Sequence, residues 1–202
     1  MKQIIRVGIL VTGFLIFTNL CYSQRVVSLR AFEIHRNNYL NNIDRTEDWD
    51  DEVLYIKDVD NELDKFVGLW KGSINNRNYE LSVVKRTEYK RYGDDETSWD
   101  LLKVWIIVKD NAGNLIYTNT NKSEKLNGFS GENFQTGTNI YRLNFTGRCY
   151  NDSGNAFFYI SPATGKMQLH YGIISDLQSD DCPSNFVPVL PTNKEGMILT
   201  KQ

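Results

Sequence analysis

The side chains best suited to chemistry are few in this chain: two histidines, His35 and His170, and three cysteines, Cys21, Cys149 and Cys182, among 202 residues. His170 has the chemistry of a general base. It alternates with Leu169 and Tyr171, however, so on a strand it faces outward beside Gln168 and reads as a surface histidine. His35 lies near Glu33 in an N-terminal segment far from His170. No G-x-S-x-G, H-E-x-x-H or P-loop pattern occurs, and neither Cys149 nor Cys182 belongs to a C-x-x-C pair, so the residues support neither a hydrolase centre nor a zinc site. The run Asp58-Val59-Asp60-Asn61-Glu62-Leu63-Asp64 has carboxylates at the alternating spacing of a calcium loop. Leu63 stands where an EF-hand needs glycine and Leu69 where it needs glutamate, so capping of a short helix is the better reading of these acids. Asp94-Asp95-Glu96 and Asp180-Asp181 read as solvated turns. No catalytic residue, cofactor or metal is expected, and the residues point to a protein that is not an enzyme.

The beginning of the chain has a charged start (Lys2, Arg6), an apolar stretch from Val7 to Phe17 and a polar end at Cys21-Tyr22-Ser23. That order predicts a secretory signal peptide, cleaved before Gln24, and a secreted or periplasmic product. Thr12 interrupts the apolar stretch, which stops short of the about 20 residues of a spanning helix. Leu20 ahead of Cys21 is not the small residue that a lipoprotein signal requires. No stable membrane anchor is therefore expected. Cleavage leaves 179 residues, enough for one core, divided as an N-terminal arm and polar connection over 24–60 and a barrel domain over 61–202.

Removing Lys2 and Arg6 leaves 21 basic against 25 acidic side chains, a balance that argues against nucleic acid as a partner. The basic cluster Lys85, Arg86, Lys90 and Arg91 is followed at once by Asp94, Asp95 and Glu96 and reads as a solvated hairpin end. The even pair Cys149 and Cys182 in an exported chain predicts one disulfide. Closing that loop contributes roughly 3 to 4 kcal/mol in the chain-entropy model.

The elements that must hold these groups are nearly all strands. Val27, Leu29 and Ala31 with Phe32 and Ile34 predict a short strand or extended arm, and Arg36 to Glu52 a long polar connection. Asp58 or Asp60 would cap a brief helix with Leu63, Phe66 and Val67 on one side. Tyr79, Leu81 and Val83 then alternate with polar residues beyond the turn Asn75-Asn76-Arg77-Asn78. Trp99 to Lys109 has Leu102, Val104, Ile106 and Val108 on its core face and Leu101, Lys103, Trp105, Ile107 and Lys109 on the other. Leu115 to Thr120 returns as its partner, and Asn121 to Thr138 reads as a polar loop. Further strands follow at Tyr141 to Phe145, Ala156 to Ile160, Met167 to Ile173, Phe186 to Leu190 and Met197 to Lys201, with an irregular stretch from Ser175 to Asn185. Eight or nine antiparallel strands with little helical cover predict an all-β barrel, closed by pairing Met197–Lys201 with the strand after Phe66. A barrel of that size is filled by side chains or holds one small ligand.

Phe66-Val67-Gly68-Leu69-Trp70-Lys71-Gly72 resembles the first strand of lipocalins and fatty-acid-binding proteins. The resemblance implies a lipocalin-like antiparallel barrel in which Gly68 and Trp70 are structural. It also calls for a basic residue over the indole, and only Lys201 is placed to supply it. Over nearly all of the mature chain the sequence is similar to a family of small exported proteins of Bacteroidetes-type bacteria, a domain of unknown function. The shared features are a signal ending in Ser-Gln or Ala-Gln, Tyr55-Ile56-Lys57-Asp58, the Phe66 to Trp70 motif and Leu199-Thr200-Lys201-Gln202. The likeness carries no catalytic or binding residue with it.

Aromatic side chains are the remaining lead. Trp105, Tyr141, Phe145, Tyr159 and Tyr171 are the candidates to line a cavity for an apolar or ring-bearing ligand, and a packed aromatic core is the competing reading. Two functions follow: a non-enzymatic binder of a small apolar molecule, or a protein-interaction or inhibitor module acting through 121–138 and 175–185. An enzyme of unrecognised type comes third. A centre filled by Trp70, Leu102, Val104, Leu143 and Phe145 would decide against the small ligand and for recognition at the surface.

Overall fold

Strict alternation of apolar and polar side chains gives a sheet one dry face, and a sheet of many strands buries that face by curling on itself. A computed structural model of the chain describes residues 26–41, 53–91, 97–124, 128–149, 152–174, 182 and 186–202. The expected signal peptide and its cleavage point before Gln24 lie outside these residues. The strands are β1 (Val26–Ser28), β2 (Tyr55–Lys57), β3 (Gly68–Ile74), β4 (Arg77–Lys90), β5 (Ser98–Asp110), β6 (Leu115–Thr118), β7 (Phe129–Phe134), β8 (Tyr141–Thr146), β9 (Ser153–Ile160), β10 (Met167–Ile173) and β11 (Met197–Lys201). Eight of them, β3 to β5 and β7 to β11, close into an antiparallel barrel. Both seams are brief: Thr200 and Lys201 of β11 face Lys71 and Trp70 of β3, and Lys103 of β5 faces Ser130 of β7.

β5 organises the remainder. One edge pairs with β4 from Asp110 to Ser98, with a bulge between Arg86 and Tyr89 where Glu88 takes a φ of 51°. The other edge is shared among β2, β7 and β6. Where β6 ends, the buried amide of Asn119 replaces a strand, accepting from Ile106 N at 2.7 Å and donating to Val104 O at 3.1 Å. Gly131 leaves a gap through which the Tyr141 hydroxyl reaches β5, accepting from Leu102 N at 3.3 Å; a Cβ there would overlap that hydroxyl.

Three expectations are corrected. The N-terminal segment is not simply extended: β1 leads into a 12-residue helix, α1 (Leu29–Leu40), while the expected helix near Asp58 shrinks to a 3₁₀ turn at Asp64–Phe66. Ser28 accepts from Ala31 N at 3.0 Å as an N-cap, and the spacing Leu29, Phe32 places both on one helical face. Phe32 meets Trp99 edge-on at 5.0 Å. Second, β7 lies inside the expected polar loop 121–138. Its Gly, Glu and Asn favour strands weakly, and a bulge between Gly131 and Asn133 breaks the alternation. Third, 186–190 is not a strand. Pro188 and Pro191 remove ladder donors, and the segment crosses one barrel end irregularly with Val189 and Leu190 buried.

Among the described residues, large side chains fill the middle of the barrel. Trp70, Leu102, Val104, Leu143 and Phe145 are each at most 1% exposed. At one end Phe66 packs against Phe134, Tyr141 and Phe158 at 5.9 to 6.4 Å between rings. At the other, Phe145 touches Tyr117, Phe129 and Tyr171 at 5.1 to 6.3 Å.

Candidate functional site

The Gly-x-Trp motif is built as a structural plug. Trp70 donates its indole N–H to Phe66 O at 2.7 Å, and Lys201 lies over the ring with its ammonium 5.5 Å from the centroid. Gly68 makes this possible: it adopts φ +137°, and a Cβ there would come within 2.6 Å of Lys201 Cε. The acids that precede the motif are consumed locally. Asp58 accepts from Glu62 N at 2.8 Å and Leu63 N at 3.0 Å and pairs with Lys85 at 2.8 Å, which also reaches Asp64 at 2.9 Å. Arg30 grips Glu62 through two hydrogen bonds, of 2.7 and 2.5 Å, and lies 3.9 Å over the Phe134 ring, fastening α1 to the barrel. Among the described residues no three His, Cys, Asp or Glu side chains gather as a metal site. No described helix is long and apolar enough to cross a membrane.

Of the five aromatic residues expected around a cavity, Tyr141, Phe145 and Tyr171 point inward and are buried as packing. Trp105 and Tyr159 do not line the interior. Trp105 sits between inward Val104 and Ile106, opposite Ser82, with Arg86 5.8 Å from its ring. Tyr159 faces outward opposite Gln168. The predicted Cys149–Cys182 bridge is present, with Cα atoms 5.4 Å apart. It lies beside the covered barrel end, where Asp152 accepts from Val189 N at 3.1 Å and Arg148 N at 3.2 Å, and Tyr79 donates to Val189 O at 3.1 Å. Burial raises the Asp152 carboxyl above its ordinary range and pushes Tyr117 up to about 12. The hydroxyls of Tyr117 and Tyr171 are buried there with no hydrogen-bond partner.

Several polar side chains on the outside of the barrel are paired. Lys71 meets Glu80 at 2.9 Å, Arg86 meets Glu124 at 2.5 Å, and Glu132 takes both Arg142 and Asn144. A groove of about 420 Å³ across β3 to β5 is lined by these satisfied groups, including Lys71–Glu80 and the Ser73–Asn78 bond at 2.6 Å. A second groove, of about 370 Å³, differs in kind. Its walls are Gln135, Ile140, Phe157, Tyr159, Gln168 and His170, and among the described residues no acid, lysine or arginine lines it.

Local sequence explains the second groove. In Ala156-Phe157-Phe158-Tyr159, aromatic residues fall on both faces of β9: Phe158 enters the core, while Phe157 and Tyr159 stand two residues apart on the outside, about 7 Å along the strand. Register sets His170 opposite Phe157 and Gln168 opposite Tyr159. The turn after β7 brings Gln135 and Ile140 alongside, tied by Gln135 N to Ile140 O at 2.8 Å. Gln168 donates to Glu195 O at 2.8 Å and keeps its carbonyl available. Among the described residues, the Gln135 amide, the His170 imidazole and the Tyr159 hydroxyl have no side-chain hydrogen-bond partner. His170 is thus the outward histidine that alternation predicts, and no carboxylate shares its groove. Alternation placed Gln168 and His170 outward, while Phe157 was legible only as part of the strand Ala156 to Ile160. The legible signal was the aromatic doublet, which cannot put both rings inside.

Comparison of this chain with protein-family models, curated proteins and solved structures returns no match.

Proposed function

We propose that the chain is an exported, non-enzymatic binding module that recognises its ligand on the outside of β8 to β10 rather than within the barrel. One contrast carries this reading. The centre of the barrel is filled by Trp70, Leu102, Val104, Leu143 and Phe145, each at most 1% exposed, while the Phe157–Tyr159 groove sets aromatic faces beside the polar heads of Gln135, Tyr159 and His170. Half-buried polar heads beside outward aromatic faces, with Lys71–Glu80, Arg86–Glu124 and Arg142–Glu132 paired elsewhere on the exterior, are what a recognition surface requires. The absence of a carboxylate beside His170 removes the usual partner of a general base and favours binding over turnover.

The test uses the protein recovered from periplasm or medium, whose intact mass should begin at Gln24. Titration with cis-parinarate, a fluorescent fatty acid, should show no stoichiometric interior site. Tight one-to-one binding that is lost on Leu143→Phe but kept on Tyr159→Ala would restore the hollow-barrel function and sink this one.

A further inference from the structure

The chemistry of the groove narrows its ligand. Among the described residues no acid, lysine or arginine lines its walls, and Arg142, which stands opposite Phe157 at the edge, is already paired with Glu132, so a phosphate, carboxylate or ammonium group would lose water there and gain no free countercharge. A lipid chain would cover the two rings but leave the Gln135, Gln168, Tyr159 and His170 heads without partners, which costs more than the apolar contact returns. An extended peptide adds to a sheet through a free edge, and β8, β9 and β10 each have a strand on both sides. A polyproline peptide offers carbonyl acceptors only and so leaves the glutamine carbonyls unmatched.

Amide, phenol and imidazole groups each offer both donor and acceptor capacity, the same dual capacity as an alcohol. The faces of Phe157 and Tyr159 are electron-rich and favour weakly positive C–H groups. A ligand that combines C–H faces with a rim of hydroxyls, carries no charge and fits a shallow groove of about 370 Å³ is a sugar ring. Resting on the reading of this groove as the binding site, we infer that it takes a neutral saccharide, stacked on Phe157 and Tyr159 and hydrogen-bonded at its rim by Gln135, Gln168 and His170.

Calorimetric titration of the oxidised protein with cello-, manno-, xylo- and chito-hexaoses as neutral probes tests this, with trigalacturonate and a proline decamer as controls. At least one neutral hexaose should bind, with affinity about tenfold weaker in Tyr159→Ala and in His170→Ala, at unchanged urea midpoint. Having two variants guards against one misfolding. No binding of any neutral hexaose overturns the proposal, as does binding that both variants leave intact. If only the decamer binds and shifts the NMR signals of Phe157 and His170, the saccharide fails while the groove stands. Interior binding of cis-parinarate would remove both.

Discussion

Tyrosines at the two barrel ends show how much depends on where a single hydroxyl finds itself. Tyr141 accepts from Leu102 N, and Tyr79 donates to Val189 O. Tyr117 and Tyr171, packed around Phe145, have no partner, and burial holds both hydroxyls above the ordinary tyrosine range. An unsatisfied buried hydroxyl costs its desolvation and returns nothing. Tyr117→Phe and Tyr171→Phe should therefore be neutral or stabilising by up to about 1 kcal/mol, whereas Tyr79→Phe and Tyr141→Phe should each cost about 1 kcal/mol. Urea denaturation of the four variants checks this, and a loss at Tyr171 equal to that at Tyr141 would contradict it. Sequence showed Tyr79 on an alternating strand and offered Tyr141 and Tyr171 as candidates to line a cavity. It could not show which hydroxyl is paired, because each partner is a backbone group more than 30 residues away.

Legibility divides sharply between the elements. Those whose alternation is unbroken, such as β5 with Leu102, Val104, Ile106 and Val108, could be read directly, as could the closing role of β11. β7 escaped because Gly131-Glu132-Asn133 carries its bulge, and α1 because Val27, Leu29 and Ala31 also satisfy a two-residue period. The docking of α1 is electrostatic as well as apolar. Hydrogen bonds from Arg30 hold the Glu62 carboxyl below its ordinary value of 4.5, so the stabilisation is complete above that value and is lost as pH falls through the lowered one. Glu62→Gln should cost about 1 kcal/mol at neutral pH, and its deficit against wild type should close in acid. Unfolding midpoints measured between neutral and strongly acidic pH decide the point, and a deficit that persists in acid would show that the carboxylate is not its source.

At the scale of the whole molecule, the packed core is set apart from the proposed recognition face. Core aromatics such as Phe145 hold the barrel, while Tyr159 and His170 are half-buried on its outer face. Phe145→Ala should lower unfolding free energy by about 3 to 5 kcal/mol and Tyr159→Ala by less than about 1 kcal/mol, measured by chemical denaturation. A comparable loss at Tyr159 would mean that the outer face is part of the scaffold. The seam where Lys201 meets Trp70 has a kinetic meaning too. Ring closure joins residues some 130 positions apart, among the most distant pairings in the fold, and contacts of such separation form late. Until Met197–Lys201 arrives, β3 lacks its second neighbour and the barrel stays open. For the export proposed above, that delay is an advantage, since an unclosed sheet can still be threaded through a narrow pore and a completed ring cannot.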